Sequence, residues 1–179
     1  MKRAALIFCI LLFFLYSCQR KKGESVFLPS TELQPLTLGM LPTLDGLPFH
    51  IAKAQGIYDS LGLDLTILSF KSAYDRDAAF RSKSLDGMIT DYLSAVTQQA
   101  IHHTDLGIIL KNDGYFCFIV SKESGINQLQ ELKEKNIAVS HNTIIEYATG
   151  QLLNKAGISQ AEVNKPEIAQ LPLRLQMLQ

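Results

Sequence analysis

Short apolar runs alternate with segments of helical period along most of this chain. Leu36-Thr37-Leu38-Gly39-Met40 reads as a first strand, closed by Pro42. Leu47, Ile51 and Ala54 share one side of a helix spanning Leu47–Gln55. Asp45 stands ahead of it as an opening residue, Pro48 sits in its first turn, and Gly56 follows its last residue. The pattern then gives a strand over Leu63–Phe70 and a helix over Asp75–Ser84, with Ala78, Ala79 and Phe80 turned toward the sheet. A strand over Leu85–Thr90, a helix over Tyr92–Ile101 and a fourth strand over Leu106–Leu110 follow. Regular alternation of strand and helix predicts an α/β fold with a mostly parallel sheet covered by helices on both faces.

The same reading continues beyond Gly114. Tyr115–Val120 is an apolar strand, Gly125–Lys133 a turn with a short helix, Asn136–Ser140 a strand, and Thr143–Lys155 a helix stopped at Gly157. Val163–Ile168 reads as one more strand, interrupted by Pro166 or placed at an edge by it, because proline removes a donor. A helix opens at Leu173 and runs into Gln179 with no capping glycine or polar tail. The expected organisation is a first α/β lobe over 36–113, then a crossover and part of a second α/β lobe over 114–179. The expectation is of a chain shortened at its carboxyl end. Arg174–Gln179 echoes the opening of the helix–strand unit at Asp75–Ile89, whose strand would lie further on.

The amino end carries a different pattern. Lys2 and Arg3 precede an apolar run that closes on Leu15-Tyr16-Ser17-Cys18. A basic start followed by a short apolar stretch is the signature of an export signal. Ala4–Ser17 is shorter than the roughly 20 residues a helix needs to span a bilayer. The small residue directly before Cys18 resembles the lipobox of bacterial lipoproteins. That resemblance implies cleavage before Cys18 and a lipid anchor on Cys18, with residues 1–17 as signal peptide and 18–35 as tether. Pro29, Ser30 and Pro35 discourage regular structure in the tether, and Arg20-Lys21-Lys22 serves either as a headgroup contact or as a solvated spacer.

Charge and cysteine content narrow the possible partners. Removal of residues 1–17 from the 179-residue chain leaves 162, with 15 basic against 17 acidic residues. That balance, with no basic stripe, provides no field for nucleic acid. If Cys18 is lipidated, Cys117 has no disulfide partner. Within Tyr115-Phe116-Cys117-Phe118-Ile119-Val120 it is expected to be a buried thiol. Adjacent His102 and His103 point about 100° apart on a helix and do not make a metal site with Asp105. Neither a phosphate-binding glycine loop nor a Gly-x-Ser-x-Gly elbow is present. No cofactor and no metal are expected.

Parallel sheets bind ligands outside the carboxyl ends of their strands. The candidate ligand-binding residues therefore come from the loops there: Thr43, Asp45 and Gly46; Ser72 and Tyr74; Asp91; and, in the second lobe, Ser140, Asn142 and Thr143. Each has a structural reading beside the functional one. Asp45 and Asp91 are helix caps or ligand contacts, Gly46 allows close backbone approach, and Tyr74 is a stacking ring or a surface turn residue. One of Ser140, Asn142 and Thr143 caps the following helix while the others donate to a ligand, and His141 in the same loop is either a ligand contact or a surface or hinge residue. Glu146 completes a capping box with Thr143, and Asn112-Asp113-Gly114 is a reverse turn.

Several of these segments together resemble a known family. They are Leu38-Gly39-Met40-Leu41-Pro42, Leu47-Pro48-Phe49-His50-Ile51-Ala52-Lys53-Ala54-Gln55-Gly56-Ile57-Tyr58, and Gly62-Leu63-Asp64-Leu65. They are followed by Asp75–Phe80 with Leu85–Asp91, then Lys135–Ser140 and Gln170–Leu175. In this order they resemble the type-2 periplasmic solute-binding proteins of ABC transporters, in the branch of the nitrate, taurine, aliphatic-sulfonate and thiamine-precursor receptors. The resemblance runs from Leu36 to Gln179. It implies two lobes around a cleft, a small-molecule ligand, an ABC permease as membrane partner, a monomer, and no catalysis. The expected location is the cell envelope, facing the periplasm or exterior. The ligand class expected is a small organic ion or heterocycle, and a carboxylate at Asp91 favours one with an amine or ring N–H. A precursor-processing enzyme of the same fold and a sensory lobe without transport are the alternatives.

Overall fold

Leu36–Met40 forms β1, the central strand of a three-stranded sheet in the order β2-β1-β3. The computed structural model describes residues 34–178; Cys18, the export signal and most of the tether lie outside the described residues. β2 (Leu65–Ser69) and β3 (Gly87–Met88) both run parallel to β1, with Met40 opposite Ser69 and Gly39 opposite Met88. The parallel α/β architecture is thus the one expected. Between the strands lie α1 (Leu47–Ala54), the single turn α2 (Ile57–Ser60) and α3 (Ala73–Arg81). After β3 comes α4 (Tyr92–Ala100).

Local sequence explains most of these boundaries. Pro48 in the first turn of α1 has the fixed φ a helix start requires and loses no hydrogen bond there. Gly56 takes φ 66°, a left-handed conformation that ends α1 at no Cβ cost. Ser72 caps α3: its Oγ accepts the Asp75 N–H at 3.2 Å and donates to Asp75 Oδ2 at 2.7 Å. The helix therefore begins two residues before the Asp75 start read from sequence. Asp45 is not the cap of α1. A 3₁₀ turn over Leu44–Gly46 intervenes, Gly46 is the capping position, and Asp45 Oδ1 accepts its neighbour's N–H from Gly46 at 3.1 Å.

Two apolar faces go elsewhere than expected. Leu47, Ile51 and Ala54 on α1 are all exposed, and the partly buried positions are Phe49 and Ala52. On α3 Ala78 is exposed, while Arg76 is the buried residue. Helical spacing identifies which residues share a side, but not whether a neighbour covers it.

The expected strands Leu106–Leu110 and Tyr115–Val120 do not form. Residues 107–117 are exposed throughout, Ile109 at 99% and Tyr115 at 85%. β3 is two residues long, and no described residue supplies a ladder partner on its far side. A β-prone run without a partner strand has nothing to pair with. Cys117 is correspondingly exposed, not a buried thiol. His102 and His103 lie beyond the end of α4.

The second part of the chain packs the tighter core. Leu132, Ile137, Val139, Leu153, Ile158 and Val163 form one buried cluster, with Phe118, Ile126 and Ile145 packed on it. α5 (Ile144–Lys155) contributes Leu153 at 0% exposure. The strands expected at Asn136–Ser140 and Val163–Ile168 appear as two parallel bridges, Asn136 with Asn164 and Val139 with Glu167. α6 (Leu171–Gln176) follows, opening two residues before the Leu173 expected from sequence, again with a proline in its first turn. No described helix is long and apolar enough to cross a membrane.

Gly46 illustrates why a glycine is needed at one of the candidate positions. It is buried, and a Cβ there would lie 2.8 Å from Met40 Sδ, itself 1% exposed. Gly46→Ala is expected to destabilise the protein by about 1–2 kcal/mol through overpacking, read as a shift in the urea midpoint. The glycine's close approach is thus to the protein's own core.

Candidate functional site

With β1 central, the chain leaves it toward β2 on one side and returns to β3 on the other. The strand order therefore reverses between β1 and β3, and in open parallel sheets a ligand crevice forms at such a point. The loops there are 41–46 and 89–91, flanked by 70–72 after β2. Three residues foreseen at this edge take capping or turn roles. Ser72 caps α3, as described. Asp91 caps α4, its Oδ1 accepting the Ser94 N–H at 2.9 Å. Thr43 Oγ1 donates to the Leu41 carbonyl at 3.4 Å. Thr43, Asp45 and Tyr74 are exposed, Tyr74 at 62%.

A polar network at this edge was not foreseen. Arg76, 2% exposed, donates from Nη1 to the Ile89 carbonyl at 3.0 Å and from Nη2 to Thr90 Oγ1 at 2.9 Å. Its Nε and Nη2 also grip Asp77 Oδ1 at 2.9 and 2.7 Å, and Asp77 Oδ2 accepts from Ser94 Oγ at 2.8 Å. One guanidinium thus ties α3, the end of β3 and the first turn of α4 together, and holds Thr90 and Asp91 in place. Arginine suits this because its planar fork serves several acceptors at once. The only sequence signal is a charged pair, Arg76-Asp77, at a helix position that would otherwise face the sheet. Gln98 on α4 is 1% exposed, and its Oε1 has no partner among the described residues.

The loop over residues 140–143 leads into α5. Thr143 is its cap: Oγ1 accepts the Ile145 N–H at 3.2 Å and donates to the Ser140 carbonyl at 2.7 Å. Asn142 precedes it at φ 55°, a left-handed conformation that asparagine tolerates better than most residues. Glu146 does not close a capping box on Thr143. It reaches one residue further back, accepting the Asn142 N–H at 2.9 Å on Oε2 while Oε1 meets His141 Nδ1 at 2.7 Å. His141 Nε2 lies 3.7 Å from Glu167 Oε2, so the ring is flanked by two carboxylates. Burial lowers the Arg174 guanidinium from its ordinary value, partly offset by Glu167 nearby.

The Asn142 N–H first, and then His141, hold the Glu146 carboxyl below its ordinary value of 4.5. A carboxyl lowered in the folded state stabilises the fold above its unfolded pKa, and this contribution is lost as the pH falls through the folded value. Glu146→Gln is therefore expected to lower stability near pH 7 and to cost progressively less as the pH falls below about 4.5, which flattens the acid limb. Urea midpoints measured from pH 3 to 7 test this.

Hydrogen bonds connect the two sets of loops. Ser140, 5% exposed, donates from Oγ to the Ala169 carbonyl at 3.3 Å, and two residues on the Leu171 N–H donates to the Lys71 carbonyl at 3.1 Å. Ser140 is thereby linked to the residue beside Ser72. A groove of about 380 Å³ runs between α4 (Leu93, Thr97, Ile101) and the start of α5, including Asn142, Thr143, Glu146 and Tyr147. Asn142 and Thr143 thus share a groove with the helix that Asp91 caps, whereas Asp91 itself, Thr43, Asp45, Gly46, Ser72, Tyr74 and Ser140 do not line it. A larger depression of about 490 Å³ lies against Lys133, Glu134 and Ala161–Asn164. It sits at the amino ends of the bridged segments, the wrong edge for a parallel-sheet site. No cluster of three metal-ligating side chains occurs among the described residues.

A parallel α/β sheet with its strand order reversing at β1, followed by a second α/β segment, defines a fold of the periplasmic-binding-protein kind. The chain belongs to the NMT1/THI5-like family, whose model matches residues 44–175. It is similar in structure to the alkanesulfonate-binding protein SsuA from Xanthomonas axonopodis pv. citri bound to MOPS, with TM-score 0.57 and 17% identity over 82% of this chain and 51% of that one. The periplasmic aliphatic sulphonate binding protein SsuA from Escherichia coli gives TM-score 0.54 and 13% identity over 80% and 50% of the two chains. PhnD1 from Prochlorococcus marinus (MIT 9301) in complex with methylphosphonate gives TM-score 0.53 and 14% identity over 80% and 59%. The chain spans about half the length of the first two. No curated protein matches the sequence.

Proposed function

We propose that this chain is, or forms the amino-terminal portion of, an extracytoplasmic solute receptor of an ABC importer, anchored to the membrane by lipid on Cys18. Its ligand is a small organic ion or heterocycle held outside the carboxyl ends of the strands, and its role is binding, not catalysis. The observation that carries the reading is the strand-order reversal at β1, which brings the 41–46 and 89–91 loops to one edge of a parallel sheet. Family membership over residues 44–175 supports it.

Asp91, Asn142 and Thr143 are the residues on which this proposal rests most heavily, because the groove joins the last two to α4. Thr43, Asp45, Gly46, Ser72 and Tyr74 come from the other loops at the carboxyl ends of the strands, and Ser140 from the loop before α5. Asp91 keeps one carboxylate oxygen free of the cap contact, which favours a ligand with an N–H donor near β3, while the start of α5 suits an acceptor. Closing of the second segment on the first would bury such a ligand and form the surface read by a permease.

The test is a thermal-shift screen of the full chain against sulfonates, phosphonates, amino acids and pyrimidines. A dose-dependent rise in melting temperature that Asn142→Ala and Asp91→Ser each reduce supports the reading. A flat response to every class, or a rise unaffected by both variants, overturns it. Loss of acylation in Cys18→Ala, followed by labelled palmitate incorporation in cells, checks the anchor separately.

A further inference from the structure

Two loops far apart in sequence are tied together by a short segment that runs between them. The Ile168 N–H donates to the Val139 carbonyl at 2.8 Å, the last backbone hydrogen bond of the parallel pairing with 136–139. One residue on, the Ala169 carbonyl accepts from Ser140 Oγ at 3.3 Å, and the Leu171 N–H then reaches the Lys71 carbonyl at 3.1 Å. Among the described residues this last contact is the one backbone hydrogen bond between 34–104 and 121–178.

Both ends of the segment are set by helix starts. Leu171 opens α6, so its N–H has no acceptor inside the helix and takes one outside. Lys71 directly precedes Ser72, the buried cap of α3. Arg76 and Asp77 on α3 join that helix to Thr90 and to Ser94 on α4. At the other end Ser140 is buried, and its own carbonyl accepts from Thr143 Oγ1, the cap of α5. Beside it the His141 N–H meets Glu167 Oε2 at 2.5 Å. The starts of α3 and α4 are therefore connected to the start of α5 through residues 169–171.

We infer that Ala169–Leu171 is a strap that sets the spacing between the loop after β2 and the loop before α5, and with it the width of the groove between α4 and α5. Ser140 is the positioning residue at one end of the strap, its hydroxyl engaged by Ala169 instead of a ligand. The Leu171–Lys71 bond is the contact that opens when the two loops part. The strap follows from these contacts alone, and its bearing on ligand binding rests on the function proposed above.

Leu171→Pro is the direct test. Proline is tolerated at the first position of a helix, so α6 is kept while the donor to Lys71 is removed. Hydrogen exchange of the full chain in mild detergent, read amide by amide, uses no ligand, so its failure and a failure to bind solute are separate results. In Leu171→Pro the amides of Asp75 and Arg76 on one side, and of Asn142 and Ile145 on the other, are expected to exchange roughly fivefold faster, the factor a single hydrogen bond supplies. Leu171→Ala keeps the N–H and is expected to leave all of these unchanged. Ser140→Ala is expected to speed only Asn142 and Ile145, since the bond to Lys71 remains. In wild type the Leu171 amide itself is expected to be protected, a measurement that stands even if the proline variant does not fold. An unprotected Leu171 amide overturns the inference. So does faster exchange confined to α6 in Leu171→Pro, equal loosening in Leu171→Ala, or a Ser140→Ala variant that exchanges like wild type.

Discussion

Replacing Arg76 with methionine is expected to cost about 3–5 kcal/mol of folding stability, the range for removing one partner of a buried ion pair. The side chain is 3% exposed, and its partner Asp77 is 18% exposed. The loss is large because the stem's packing is kept while the guanidinium disappears. Asp77 is then left without its cation, and the Ile89 carbonyl and Thr90 hydroxyl without their donor. Arg76→Lys is expected to fall only partly short of that loss, since one ammonium cannot reach both acceptors and hold Asp77 in a fork. The urea midpoint of the purified chain measures both. A change below about 1 kcal/mol for Arg76→Met, the level of a surface pair, would mean the network is not formed in solution. The consequence for the site is direct. Thr90 and Asp91 lie at the reversal point of the strand order, and Arg76 holds the backbone that presents them.

Leu153→Ala is expected to destabilise by about 3 kcal/mol, within the range for deleting a fully buried leucine side chain. Leu153 is 0% exposed, in the cluster with Val139, Ile137 and Ile158. The cluster is small, so the neighbours have little material with which to fill the void. It also seats α5, whose first turn holds Asn142, Thr143 and Glu146. Two variants separate the packing of the helix from its capping. The urea midpoint should fall in Leu153→Ala, while Thr143→Ala, which removes only the cap, should lower it by about 1 kcal/mol. Equal midpoints for the two variants would show that the cluster is not the support of this helix.

Many of the regular elements were legible along the chain. β1, α1, α4 and α5 lie within a residue or two of their apolar and capping signals, because those signals are local: alternation, a proline in the first turn, a serine, threonine or aspartate at the start. Ser72 and Thr143 were readable as loop residues with hydroxyls, and both turn out to cap helices. The candidate site was legible as a set of loops, but not as a set of contacts. Whether Asp45 would cap α1 depended on a 3₁₀ turn over Leu44–Gly46 that puts Gly46 at the capping position. Whether Glu146 would reach Thr143 or Asn142 depended on the left-handed turn at Asn142.

What sequence alone determined here is the order of elements, the parallel sheet class, the edge at which candidate residues gather, and the family they resemble. Only the tertiary structure decided burial and pairing. Arg76 goes inside because acceptors from β3 and α4 converge on it, and nothing within its own helix announces them. Leu106–Leu110 and Tyr115–Val120 have every local mark of strands, yet a strand is completed by hydrogen bonds to another strand, and none of the described residues offers them. Local preference is carried by a residue and its neighbours in sequence; pairing and burial belong to residues that meet only after the chain has folded.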